Sequence, residues 1–137
     1  MIQVNKADFN PCHYDDETVE MTAVYKEKEV ILSVYIGDVA LEDFLPEIER
    51  ITSRIVEFDQ QGKQLIYEEL GESYNQHNPQ NTLAEEAFKE KLDLFSLYFS
   101  GDEEVEFTYE ANGMFGTHIL SVELIEGVFT EWVSMNG

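Results

Sequence analysis

Two N-terminal segments, residues 19–25 and 30–36, are rich in β-branched and aromatic side chains, and a charged stretch separates them. This arrangement predicts a β-hairpin whose second strand is closed by Gly37-Asp38. The second segment is almost continuously apolar, which predicts a strand covered on both faces. Residues 1–17 mix polar, proline and acidic positions and predict an irregular lead-in.

The spacing of apolar residues then changes to three or four, which indicates helices. A first stripe covers residues 41–58, and Pro46 favours a helix start near residue 46. Asp59 is a good N-cap for a second helix, which the segment 75–79 ends. Thr82 and Glu85 match a capping box for a short third helix.

From Leu94 onward the pattern predicts a four-strand meander with turns at residues 101–102, 112–113 and 126–127. Alternation is clearest at residues 104–110, where Val105, Phe107 and Tyr109 alternate with polar positions. Phe107 is predicted to face the core. The predicted fold is α+β: an antiparallel sheet of an N-terminal hairpin plus a C-terminal four-strand meander, with about three helices on one face. Residues 1–137 are predicted to form a single domain.

The composition is strongly acidic: the chain has 29 Asp and Glu but only 8 Lys and Arg, which gives a net charge of −21. The aromatic content of 12% is that of a folded chain rather than an acidic disordered tail. No Lys or Arg follows Lys91. The eight acids that follow Asp93 are the candidate partner-binding residues: Asp102, Glu103, Glu104, Glu106, Glu110, Glu123, Glu126 and Glu131.

Such a surface repels nucleic acid and anionic membranes and attracts basic proteins, so neither direct nucleic-acid binding nor membrane binding is expected. Solubility or adaptation to a salt-rich cell are alternative reasons for the charge. Tyr98, Tyr109 and Phe129 are candidate apolar anchors, provided that they are exposed. The oligomeric state and the binding face stay open.

The single cysteine, Cys12, excludes an internal disulfide and favours a reducing compartment. The sequence shows neither a signal-peptide pattern nor an apolar run of membrane-spanning length, so a cytoplasmic location is expected. Cys12-His13, His77 and His118 have no repeated zinc-ligand spacing. Nucleotide-binding, hydrolase and calcium-loop motifs are missing. We therefore predict neither an enzyme nor a cofactor or metal site.

A resemblance to known proteins lies in the segment from Gly113 to Gly137, which begins Gly-Met-Phe-Gly-Thr-His-Ile-Leu and includes Gly127. Over residues 82–137 it resembles the closing hairpin of small acidic bacterial proteins catalogued as a domain of unknown function. These are similar in character to polymorphic-toxin immunity proteins. The resemblance implies structural roles for Phe115, Gly116 and His118, as residues that set a β-bulge and the start of a strand.

The predicted function is therefore that of an acidic binding protein, of the immunity type, that masks a basic protein such as a toxin nuclease. One alternative is a DNA mimic that regulates a nucleic-acid enzyme. A further alternative is a soluble protein with a metal or enzymatic site near His118.

Overall fold

The computed structural model describes residues 2–12 and 15–136, without the side chain of Asp15. Over these residues, seven strands form one sheet in the order in which they occur along the chain. The strands are β1 (Asn10–Cys12), β2 (Asp15–Tyr25), β3 (Lys28–Tyr35), β4 (Asp93–Gly101), β5 (Glu104–Glu110), β6 (Ile119–Ile125) and β7 (Val128–Asn136). The helices are α1 (Leu45–Ser53), α2 (Ile55–His77) and α3 (Glu85–Glu90), with 3-10 turns at Lys6–Asp8 and Leu41–Asp43.

The α+β class is confirmed, but the predicted antiparallel sheet of a hairpin plus a four-strand meander is wrong, because the sheet has seven strands and is mixed. β3 and β4 pair in parallel, with Leu32 opposite Leu97, and join the two halves into one mixed sheet. All three helices lie in the connection between these strands. Such a long crossover returns the chain to the end of the sheet at which β3 began, which a parallel pair requires.

The N-terminal lead-in is more regular than predicted, because β1 and the first residues of β2 lie within it. β2 and β3 form the predicted hairpin, and their turn is only two residues long. Lys26 and Glu27 there have φ angles of 52° and 67°. Two successive positive φ angles are typical of a type I′ turn, whose twist matches that of the flanking strands.

Only one face of β3 is covered, which corrects the prediction from its apolar run. Val30, Leu32 and Val34 are buried, whereas Ile31 and Tyr35 are 39% and 38% exposed. The alternation arises because the core lies on one side of the sheet only. Each second side chain of the strand therefore points away from the core.

The first helix starts as predicted, with Pro46 in the first turn of α1. The second helix does not start at Asp59, because α2 begins at Ile55 and Asp59 lies inside it with its side chain buried. Nor does the capping box form, since Ala84 occupies the N-cap of α3 without a side-chain cap. No described helix is long and apolar enough to cross a bilayer.

The hydrophobic core draws buried residues from the three helices and from β2 to β6. Within it, α2 packs against the C-terminal half of the sheet. Phe58 of α2 meets Phe107 and Phe129 edge-to-face, with ring centroids 6.4 Å away in both cases. Phe107 is completely buried, as the alternation predicts. Burial of each such aromatic side chain contributes about 1.5–3 kcal/mol, so this contact fixes the helix on the sheet.

Candidate functional site

Three of the eight candidate acids meet at one end of the sheet. Asp102 and Glu103 form the β4–β5 turn, and Glu126 opens the β6–β7 turn. The Glu126 N–H donates to the Glu103 carbonyl at 3.0 Å, so the two turns lie side by side. All three side chains are exposed. We call these residues the acidic turns.

Four more candidate acids lie on the side of the sheet that faces away from the core: Glu104, Glu106, Glu110 and Glu123. We call this set the acidic face. Glu106 of β5 lies directly opposite Glu123 of β6, and both are exposed. Like charges in directly opposite positions of an antiparallel pair destabilise a sheet. The acidic face therefore carries a local electrostatic cost.

Glu131 lies apart from these groups, on β7. Leu124 pairs with Phe129 and Val122 with Val133, so three residues of β7 stand opposite Glu123 alone. Glu131 is the middle one of those three and is exposed. The bulge thus brings a further carboxylate close to the edge of the acidic face.

None of the eight candidate acids has a Lys or Arg nitrogen of the described residues within 4 Å. Within the part of the chain that the structure describes, six carboxylate–cation contacts fall within 4 Å, and their acids come no later than Asp93. None of the eight takes part. The ion pairs of the described residues therefore involve five acids up to Asp93, and none of them neutralises a candidate acid.

The predicted apolar anchors are mostly wrong. Tyr109 is completely buried, and Phe129 packs 5.2 Å from the Phe107 ring. Tyr98 is half-buried. The most exposed large apolar side chain of the described residues is instead Trp132, at 79%. Sequence periodicity did not single it out, because exposure at a sheet edge depends on strand order.

Sequence reasoning also missed the buried carboxylate of Asp59. Tyr25 donates its hydroxyl to Oδ2 at 2.8 Å, and Tyr109 donates to Oδ1 at 2.8 Å. Lys26 and Lys63 approach Oδ2 to 3.5 Å and 3.4 Å. Both oxygens therefore have partners, as a buried charge requires. A signal was present: Asp59 continues the helical spacing of the buried Ile55 and Ile66.

Burial and the Asp59 carboxylate both favour the neutral phenols. Burial is the larger cause that raises the pKa of Tyr109 and that of Tyr25. Gly62, one turn after Asp59, leaves room for this contact, because a Cβ there would lie 2.9 Å from the Tyr109 hydroxyl. The cluster of Asp59, Tyr25 and Tyr109 thus joins α2 to β2 and β5.

Asp93 is neutralised at the same end of the sheet. Lys28 donates to its Oδ2 at 2.6 Å, and Asn112 donates to the same atom at 2.8 Å. Burial opposes the charged form, but these hydrogen bonds and the charges of Lys28 and Lys63 outweigh it and hold the pKa of Asp93 below its usual value. This end of the sheet is therefore the lysine end.

A cleft of about 640 Å³ opens at the opposite end, beside the acidic turns. Glu47 is one of its acidic lining residues, and its Oε1 atom is buried without a hydrogen-bond partner within the described part of the chain. Burial raises the pKa of Glu47; Arg50 partly offsets that effect, and the charge of Glu103 adds to it. Negative charge thus accumulates at this end.

The structure describes three of the four cysteine and histidine side chains. His77 and His118 are exposed, and Cys12 is half-buried with a free thiol. His13 lies outside the described residues. Across residues 2–12 and 15–136, no group of three or more His, Cys, Asp or Glu side chains is placed to hold a metal ion.

The first residues of the segment that carries the sequence resemblance, from Gly113 to His118, form a tight loop before β6. Gly113 and Gly116 bridge to each other with φ angles of 88° and 68°, and β6 starts directly after His118. Phe115 packs against Tyr74 with ring centroids 5.7 Å apart. The predicted bulge is wrong, because the β5–β6 register has no break.

In comparisons with known proteins, no protein-family model, no curated protein and no solved structure matches the chain. The resemblance to proteins of unknown function and to immunity proteins therefore stays a prediction. Function has to be argued from the surface itself.

Proposed function

We propose that this protein binds a basic protein through the acidic face and the acidic turns, as an immunity-type inhibitor masks a toxin nuclease. The observation that carries the proposal is Glu106 directly opposite Glu123, both exposed and neither paired with a cation in the described part of the chain. Lys and Arg side chains of a partner would relieve that repulsion.

The layout supports binding rather than general solubility. Lys28 and Lys63 contact Asp93 and Asp59, whereas no described Lys or Arg lies within 4 Å of a candidate acid. A surface with one sign of charge speeds the approach of an oppositely charged partner and suppresses wrong partners. The carboxylates would then occupy the positions that nucleic-acid phosphates take on a nuclease.

The test is capture of basic proteins from the source cell on the immobilised protein at ~50 and ~500 mM salt, since exposed charges are screened over about 10 Å at 0.1 M. A captured protein is identified, and its affinity and nuclease activity are then measured with the purified pair. We expect affinity to fall steeply with salt and activity to fall as the complex forms.

Two charge-matched variants locate the surface. Replacing Glu106, Glu110 and Glu123 with Gln should slow association. Replacing Glu68, Glu69 and Glu72 of α2 with Gln removes the same charge from an exposed helix surface and should change association much less. Equal effects of the two variants would mean that net charge alone acts, and affinity independent of salt would reject the proposal.

A further inference from the structure

The two edges of the sheet are built differently. β1 has three residues, contains Pro11 and has a register break beside that proline. Proline lacks an N–H, and short irregular edges resist further strand pairing. β7 has nine residues and is the opposite edge, and no described strand pairs with its outer side. β7 therefore offers the longest edge of the described strands, since β1 leaves only residues 21–25 of β2 without an outer partner.

β7 also lacks the residues that usually protect an edge. It contains no proline, lysine or arginine, and its one charged residue is Glu131. Val128, Trp132 and Met135 are 70%, 79% and 41% exposed. An edge strand with exposed apolar side chains is a template for pairing with another chain.

The strand is held in place by the core. Phe129 packs against Phe58 and Phe107, and half-buried Val133 also contacts the core. The residues from Val133 to Asn136 pair with β6 without a break. A pairing strand would therefore meet a preformed edge, which lowers the ordering cost of binding.

The bulge divides this edge into two parts. Residues 130–132 stand opposite Glu123, and the Trp132 N–H points to the Thr130 Oγ1 atom at 3.4 Å. Regular pairing is thus available along Val133–Asn136, with the Trp132 ring exposed beside it. Backbone hydrogen bonds and one aromatic anchor are the components of strand addition.

Charge complementarity identifies the occupant as basic. Glu131 lies on β7, Glu123 lies opposite the bulge, and Glu126 lies in the turn before the strand. A second copy of the chain would place two carboxylate-rich surfaces, each part of a protein with a net charge of −21, against each other. The backbone of an extended segment would pair with the free N–H and C=O groups of β7. If basic and apolar residues alternate along the segment, its cations would also neutralise the nearby carboxylates.

We propose that such a segment of the basic partner adds to β7 as an eighth strand, with Trp132 as its apolar anchor. This inference rests on the proposed function and specifies how the partner docks. The remaining acids would then attract the partner, while the β7 edge would set its position and orientation.

Because Trp132 is the only tryptophan, its fluorescence reports directly on this edge. The probe is a nine-residue peptide of alternating Lys and Val, titrated at ~50 mM salt. Its two controls are the same peptide with alternate backbone nitrogens methylated and an oligolysine of equal charge. We expect a saturable blue shift of the emission with the first peptide and none with either control.

Variants are compared through the anisotropy of the labelled Lys-Val peptide. Trp132→Ala should weaken binding about tenfold to thirtyfold, as loss of a central aromatic anchor does. Val128→Ala should weaken it about threefold. Val24→Ala is the matched control: this valine is 67% exposed on β2, on the opposite side of the strand order from β7, and its variant should bind normally.

The outcomes separate this inference from the proposed function. If the Lys-Val peptide and both controls bind equally and the emission does not shift, the β7 inference is wrong, while attraction by the acids stands. If no basic probe binds at low salt and no basic partner is captured, both fail. A dimer without peptide that Trp132→Ala dissociates would show that β7 pairs with a second copy, and would overturn the inference.

Discussion

The lysine end of the sheet and the acidic face use carboxylates in opposite ways. At the lysine end, Asp59 is 1% exposed and has two tyrosine donors and two lysines within 3.5 Å. On the acidic face, Glu106 and Glu123 are exposed and stand opposite each other. The same functional group is satisfied by the protein in one region and by water in the other.

This difference decides what each region contributes. A buried carboxylate is stable only with its partners. Removing the carboxylate leaves unsatisfied donors in the core, and removing its partners leaves an unsatisfied charge there. An exposed carboxylate is already solvated, and its removal costs little. The lysine end is therefore expected to determine stability, and the acidic face to determine binding.

The largest effect should follow from Asp59→Ala. It leaves the hydroxyls of Tyr25 and Tyr109 without their acceptor and should lower the free energy of unfolding by about 3–5 kcal/mol. Urea unfolding measures this loss, with Glu106→Ala as the exposed control, expected within about 0.5 kcal/mol of the parent. Equal losses in the two variants would remove the distinction between the regions.

A smaller loss is expected for Tyr109→Phe, which keeps the ring and removes one donor to Asp59. We expect about 1–3 kcal/mol near pH 7. Because the folded pKa of Tyr109 is raised, this stabilisation is present below the unfolded value of about 10 and is lost as pH rises through the folded value. Tyr74→Phe is the control, since its hydroxyl makes no hydrogen bond within the described residues.

A difference between Tyr109→Phe and the parent that persists unchanged at strongly alkaline pH would contradict this account. So would an equally large loss from Tyr74→Phe, because Tyr74 contributes only ring contacts with Phe88 and Phe115. Urea unfolding at several pH values from neutral to alkaline measures both variants.

The sequence predicts the parts of the molecule that depend on local patterns. Alternation in β5 correctly places Phe107 in the core, and Pro46 marks the start of α1. The parallel contact between β3 and β4 could not be predicted, because strand pairing is set by the path of the intervening helices. Asp59 was misassigned as an N-cap because its partners come from distant strands, which a local pattern does not show.

The candidate acids show the same limit. Their sequence positions indicate that charge accumulates after Lys91, and their exposure could be anticipated. Their grouping depends on contacts between separate hairpins, such as the hydrogen bond from Glu126 to Glu103. The exposure of Trp132 likewise follows from the position of β7 at the end of the strand order.

Acid should reveal the contribution of Asp93. Asp93→Asn removes the ion pair with Lys28 and should cost about 1 kcal/mol at pH 7, a modest value because Lys28 is 60% exposed. The folded pKa of Asp93 is lowered, so its stabilisation is present above the unfolded value of about 3.9 and is lost as pH falls through the folded value. The difference between the two proteins in melting curves should therefore be smaller at pH 3 than at pH 7.

The smallest change in stability, and the sharpest test of the comparison, is expected for the double variant of Glu106 and Glu123 to Gln. It removes two like charges in directly opposite positions, so thermal stability should rise by about 0.2–1 kcal/mol. Association with a basic partner should slow at the same time, since steering by charge acts mainly on the association rate. The control is Glu49→Gln on α1 with Glu69→Gln on α2, which removes equal charge from two separate helices. A double variant that is less stable than the parent but associates at the parent's rate would assign the acidic face a structural role and place partner binding elsewhere.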